Sequence, residues 1–353
     1  MFKFRKICKL KSYIIFFIIF FLIYKKKTKK IGVIGLSHGN NIGNNLLKYA
    51  MHIKLKELGF EPYIIGFHKK RTDITFIKKA TNLRIIHKSF KEINQNDYDI
   101  LMVNSDQTWR RFDEHFYDYG FLKFAETWNI PKFVYGASIG YNYWKFNQKE
   151  ENIIKLLLKN FTGVSVREKG SIKLIEKHIG IKPKLVLDPT LLINKNYYLN
   201  LIKNYKSNIN ITEAYIFSYI ISSDKKIKNY IQRACAQLKY KYYPVKSKEK
   251  NSIEKFIYGI LHSKAIITNS FHGTIFSIIF NKPFITFIYE DVPKERFYSL
   301  EKLFGIKNRI VDCNEQPDIN LLNTPLKINR TLIEIMKVKS IDFLKKNLQN
   351  KLW

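Results

Sequence analysis

Apolar and polar positions alternate in blocks along this chain, and the blocks have the lengths of strands and helices. Ile31–Leu36 (IGVIGL) is a short apolar run, the pattern of a strand buried on both faces of a parallel sheet. A Gly/Asn-rich loop, Ser37–Asn45, follows it. Leu47, Met51, Leu55 and Leu58 then recur at helical spacing, with Lys48, Lys54, Lys56 and Glu57 between them as the polar face. Gly59 stands where a helix C-terminal glycine belongs, and Pro62–Phe67 reads as the next strand. Together these form a βαβ unit.

The alternation continues. Further strands are expected at Leu83–His87, Ile100–Val103, Phe133–Ala137, Gly163–Val166 and Lys184–Leu187, with helices at Ile153–Asn160 and Ser171–His178. Residues 191–210 turn Asn/Lys/Tyr-rich and read as a linker. A second series places strands at Ala214–Ser218, Lys241–Tyr243, Ala265–Thr268, Phe284–Phe287 and Arg309–Val311, with helices at Lys226–Leu238 and Ser252–His262. No solenoid period is present. The expected fold class is α/β: two doubly wound, Rossmann-like domains over residues 31–190 and 211–353, facing a cleft. Ligands in such folds sit at the C-terminal strand ends.

Residues 1–30 break the pattern. Tyr13–Tyr24 (YIIFFIIFFLIY) is wholly apolar or aromatic, and the segment around it holds ten Lys/Arg and no acid. Such a helix reaches about 18 Å, or nearly a bilayer core when counted from Ile7 with the flanking lysines snorkelling. Lysines rather than small residues follow the run, so a cleaved signal peptide is not expected. The segment reads as a basic, apolar leader that attaches the protein to a membrane. Its tighter basic cluster, after the run, favours a body on the cytoplasmic side.

The net charge of the 353 residues is +33, from 62 Lys+Arg against 29 Asp+Glu. A surplus of this size first suggests nucleic acid or an anionic membrane. Only ten of the 62 are arginine, the residue suited to bidentate reading of bases and phosphates, and no nucleic-acid-binding signature is present. A nucleic-acid partner is therefore not expected. Three cysteines at wide spacing make neither a disulfide framework nor a zinc knuckle.

Four segments at expected strand ends carry polar chemistry. The loop His38–Asn45 contains Asn41, Gly43 and Asn44; it is either a ligand-contacting loop or a tight turn with an asparagine cap. Its glycines fit neither the dinucleotide-binding nor the Walker spacing. Asn104–Trp109 follows a strand: Asp106 can take a proton from a sugar hydroxyl, and Ser105, Gln107 and Trp109 can hold and stack a sugar ring, while the alternative is an Asp-capped turn. Arg167, in Ser165–Glu168, can clamp a carboxylate or phosphate, or simply pair with Glu168. Thr268–Thr274 (TNSFHGT) precedes an expected apolar helix at Ile275–Phe280. Ser270, His272 and Thr274 converge there on an anion at a helix N-terminus, and Gly273 allows close approach. No HExxH or comparable cluster calls for a catalytic metal.

Taken in order, Asn41-Ile42-Gly43-Asn44, Ser105-Asp106-Gln107-x-Trp109, Tyr135–Gly140, Ser165–Glu168, Leu187-Asp188-Pro189-Thr190 and Ser270–Thr274 resemble the polysaccharide pyruvyl transferase family over about residues 31–350. Arg296-Phe297 and Ser299-Leu300 extend the likeness. Asn104 and Gly136 depart from it, where glycine and alanine are frequent. The resemblance implies a fold like that of GT-B glycosyltransferases. The N-terminal domain would take the acceptor and the C-terminal domain the donor, phosphoenolpyruvate. A pyruvyl group would pass to two hydroxyls of a sugar of a cell-surface polysaccharide or its lipid-linked precursor, as a cyclic ketal. The resemblance implicates Arg167 and His272 in binding phosphoenolpyruvate, with no further cofactor. His272 is left as either phosphate ligand or acid, and Asp106 as candidate base. The rivals are a sugar-nucleotide glycosyltransferase on the same fold and a non-catalytic, membrane-associated scaffold of glycan assembly.

Overall fold

The computed structural model describes residues 28–36, 39, 41–67, 75–86, 89–111, 114–207, 212–222, 224–290 and 293–349. The apolar run Tyr13–Tyr24 lies outside the described residues. Among the described residues, no helix is long and apolar enough to cross a membrane. Lys30, counted above with the leader, already opens the first strand.

Two parallel sheets form the body. The first joins β1 (Lys30–Ile34), β2 (Glu61–Phe67), β3 (Leu83–Ile86), β4 (Ile100–Val103), β5 (Lys132–Ala137), β6 (Gly163–Val166) and β7 (Lys184–Leu185), in the order β3-β2-β1-β4-β5-β6-β7. The second joins β8 (Tyr215–Tyr219), β9 (Lys241–Val245), β10 (Ala265–Thr268), β11 (Phe284–Ile288) and β12 (Ile310–Asp312), in the order β12-β11-β10-β8-β9. Central strands β4, β5, β8, β10 and β11 are buried along their whole lengths, because helices cover both faces. The order reverses between β1 and β4 in the first sheet and between β8 and β10 in the second. A crevice opens at such a switch point, so the loops after β1, β4 and β10 are placed to meet a ligand.

Three features differ from the expected pattern. The helix after β1 runs Ile42–Glu57 and is buried on nearly every side, Lys48 included, because it lies between the two sheets and packs on elements of both. The stretch read as a linker carries the helix Lys195–Ile202, whose Tyr198 ring meets Phe276 at 4.8 Å. The helix Arg330–Gln349 leaves the second sheet and returns to the first. There Ser340 Oγ accepts the Leu187 N–H at 2.9 Å, and Asn347 Oδ1 accepts the Thr162 hydroxyl at 2.9 Å. Phe343 meets the rings of Phe133 and Tyr135. One apolar core therefore runs through both units.

Candidate functional site

The site is built from the loops that follow β1, β4, β6 and β10. After β4 the chain turns at Asp106, whose φ of 87° is a conformation rarely adopted outside glycine. A bridge to Ala137 holds it there: Ser138 N–H donates to Asp106 O at 2.9 Å. The turn aims the Asp106 carboxylate into the crevice. Gly136 sits beside it at φ 62°, and a Cβ there would come within 3.0 Å of Ser105 Oγ. Glycine at this position, where alanine is frequent in the family, thus follows from the backbone.

Arg167, just past β6, is the hub. Its Nη2 donates to Asp106 Oδ1 at 2.8 Å, and its Nη1 donates to Asp188 Oδ2 at 2.7 Å. Nε lies 3.6 Å from Glu168 Oε1, and the guanidinium packs 4.5 Å from the Phe271 ring centre. The guanidinium is almost wholly buried, as are Asp188 and Glu168. Burial alone would depress the Arg167 pKa, but Asp106, Asp188 and Glu168 overcome it and raise it. Burial likewise works to raise the Asp106 pKa. The charges of Arg167, His272 and Arg296 and the Asn44 amide outweigh it and hold that carboxyl well below its usual range. Burial raises the pKa of Glu168. Of the two readings of Arg167, the structure shows the pairing: it lies against Glu168 and bonds two further acids. Behind the hub lies an apolar cavity lined by Leu187, Leu300, Leu303 and Met336.

The second unit closes onto this hub. The helix after β10 begins at Phe271, earlier than the expected Ile275, so His272, Gly273 and Thr274 form its first turn. Ser270 is its cap, accepting the Gly273 N–H at 3.3 Å. His272 Nε2 lies 3.8 Å from Asp188 Oδ2 and is buried without a hydrogen-bond partner. Burial lowers the His272 pKa, an effect that Asp188 and Asp106 oppose and Arg167 and Arg296 reinforce. Burial thus works against the charged form of the ring, and the two carboxylates work for it. Opposite it stands Gly43 in the first turn of the helix Ile42–Glu57; a Cβ there would fall 2.2 Å from His272 Nδ1. Only glycine lets the two helix N-termini approach this closely. Asn41 caps that helix by accepting the Asn44 N–H at 2.9 Å, and Asn44 Nδ2 donates to Asp106 Oδ2 at 3.2 Å.

The structure therefore brings together Asn41, Gly43, Asn44, Asp106, Arg167, Ser270, His272 and Gly273. Other expected ligand contacts are corrected. Trp109 is a core residue: it is 2% exposed, its indole N–H donates to Gly120 O at 2.8 Å, and its ring stacks on Phe121. Ser105 Oγ is buried and donates to Gly136 O at 2.8 Å. Thr274 is buried between Ser270 O and Thr286 Oγ1. Gln107 is also buried, and its Oε1 accepts from Arg110 Nη1 at 3.3 Å. Trp109, Ser105 and Thr274 support the strand ends from within, while Gln107 Nε2 is buried without a partner.

Two cations join the cluster that were given no role above. Lys48 follows Asn44 by four residues and so shares its helix face. It is 2% exposed, and burial brings its pKa down to about 7, against the pull of Asp106. The i+4 spacing from Asn44 was the available signal. Arg296, in the helix Glu295–Phe304, packs 5.3 Å from the Phe271 ring centre.

The fold has relatives among solved structures at low identity. UDP-GlcNAc 2-epimerase from Neisseria meningitidis, bound to UDP-GlcNAc, aligns with TM-score 0.54 and 11% identity, over 92% of this chain and 100% of that one. The S. aureus MnaA–UDP structure aligns with TM-score 0.53 and 14% identity, over 91% of each chain. Arabidopsis thaliana UGT89C1 with UDP-L-rhamnose aligns with TM-score 0.52 and 8% identity, over 92% and 98%. These likenesses show the GT-B type of fold. No curated protein matches the sequence. The family model for polysaccharide pyruvyl transferase matches residues 41–291, from the asparagine cap to beyond the helix that carries His272. This chain belongs to the polysaccharide pyruvyl transferase family.

Proposed function

We propose that the protein transfers a pyruvyl group from phosphoenolpyruvate to two hydroxyls of one sugar, forming a cyclic ketal and releasing phosphate. The observation that carries this reading is the convergence of Arg167, Arg296, Lys48 and His272 on one crevice between the units. A small, multiply charged anion fits that set better than a neutral sugar does.

The chemistry asks for an acid, an anion cradle and an acceptor for hydroxyl protons. Protonation of the methylene carbon makes the adjacent carbon cationic. One hydroxyl oxygen bonds to that carbon, the carbon–phosphate bond breaks, and the second hydroxyl closes the ring. One hydroxyl proton balances the new methyl group and the other leaves on phosphate. Asp106 is aimed to orient the attacking hydroxyl; tied to Arg167, it stays an anion throughout. Lys48, brought down to about 7 by burial, is the group suited to deliver a proton, and burial also favours the protonated form of Glu168. His272, whose Nε2 is buried without a partner, is suited to hydrogen-bond the leaving phosphate.

The test is incubation of the full chain in membranes with labelled phosphoenolpyruvate and a panel of lipid-linked sugars. The expected result is membrane-retained ketal product that His272→Ala abolishes while the variant stays folded. Full activity in that variant would sink the assignment. The second reading, a sugar-nucleotide glycosyltransferase, draws support from the UDP-bound neighbours of the same fold. It predicts that a sugar nucleotide, and not phosphoenolpyruvate, raises the melting temperature.

A further inference from the structure

The Phe271 ring has two guanidinium groups packed on it, that of Arg167 at 4.5 Å and that of Arg296 at 5.3 Å from its centre. Arg296 also packs 5.0 Å from the ring of Phe297, its neighbour in the helix Glu295–Phe304. The two arginines differ in what their nitrogens hold. Arg167 spends Nη1 and Nη2 on Asp188 and Asp106, and its Nε, 3.6 Å from Glu168 Oε1, is left without a hydrogen bond. Arg296 Nε is buried with no hydrogen-bond partner, and among the described residues Arg296 makes no ion pair with a carboxylate.

A buried guanidinium nitrogen without an acceptor is costly, and five fixed donors on one plane suit a phosphate or carboxylate above other ligands. A second unpartnered atom points to the same place. His272 Nε2 is also buried with no hydrogen-bond partner, and Arg296 is close enough to depress the His272 pKa. Arg296 keeps part of its surface open, so a ligand can reach it. Its proton affinity is lowered, to about 10, by burial and by the Arg167 charge. Asp106 and Glu168 oppose that shift only from a distance.

We infer that Arg296, together with His272, takes the anionic group of the donor directly, and that Arg167 is a positioning residue that sets Asp106 and Asp188. This inference rests on the donor being phosphoenolpyruvate. It divides two roles that a shared positive charge would leave merged: the protein's own carboxylates hold Arg167, while among the described residues none pairs with Arg296.

Calorimetric titration of the full-length protein tests it, with phosphoenolpyruvate, inorganic phosphate and pyruvate as probes. Arg296→Gln is expected to raise the Kd for phosphoenolpyruvate at least tenfold with a melting temperature near that of the wild type. Arg296→Lys keeps the charge but not the fork, and is expected to recover part of the loss. A loss seen with phosphate places the donor's phosphate on Arg296, and a loss seen with pyruvate places the carboxylate there. Unchanged phosphoenolpyruvate affinity in Arg296→Gln, with the wild type binding, overturns the inference and leaves the donor assignment standing. A wild-type protein that binds no phosphoenolpyruvate overturns both.

Discussion

The two units contribute unlike halves of one charge cluster. From the seven-stranded unit come all three acids, Asp106, Glu168 and Asp188, with Arg167 bonded or close to each of them. The five-stranded unit contributes His272 and Arg296, whose side-chain nitrogens Nε2 and Nε find no hydrogen-bond partner. The cation of the first half is held by the protein's own carboxylates, and that of the second is not. A site of this kind holds its geometry through one side and keeps its ligand capacity on the other.

The largest disturbance of this contrast is Arg167→Met. It leaves buried acids facing one another without their shared cation, and breaking a buried pair in this way costs about 3–5 kcal/mol. Urea denaturation should show a loss of that order; a loss under about 1 kcal/mol would show that the first half does not depend on its hub. Next is Gly43→Ala, which sets a methyl group against the His272 ring where the halves meet. Overpacking of this type costs about 1–3 kcal/mol, and the displaced ring should lower kcat more than it changes the acceptor KM. Wild-type kinetics in this variant would mean that the halves can part without harm.

The smallest effect is a pH dependence carried by Lys48. Its folded pKa, about 7, lies below the ordinary lysine value of 10.5. Between those values the unfolded chain binds a proton that the folded chain has released. Stability from this group therefore rises with pH from about 7 upward, by at most about 1.4 kcal/mol per pH unit. Against Lys48→Met, the wild type should gain stability from pH 7 to 9. Parallel stability curves would show that Lys48 is not buried as a titrating group.

The strands were the most legible part of the fold. β4, β6 and β10 have the residue limits expected of them, since a fully buried parallel strand reads as an unbroken apolar run. Arg167, Asp106 and His272 were legible as polar residues just past such runs. Lys48 was not: a lysine in an amphipathic helical pattern reads as solvent-facing, and only the packing of a second unit against that helix turns it inward. Trp109 failed in the opposite sense. An aromatic residue beside a candidate base suggests a sugar platform, but the Gly120 carbonyl and the Phe121 ring claim it for the core. The return of the helix Arg330–Gln349 to the first sheet was illegible, because pairing over such a separation leaves no local mark. Arg296 had a visible motif but no assigned role, since its importance lies in what its neighbours do not supply.

That returning helix also has a consequence for biosynthesis. The Leu187 N–H finds its acceptor in Ser340, 153 residues further along the chain, and the Thr162 hydroxyl finds Asn347. As the chain leaves the ribosome, the first sheet emerges with one apolar flank, at Phe133 and Tyr135, still uncovered. It stays so while the whole second unit is made. The nascent protein must keep that flank from other chains until its own Phe343 arrives, and the maturation of the first unit is timed by the translation of the last helix.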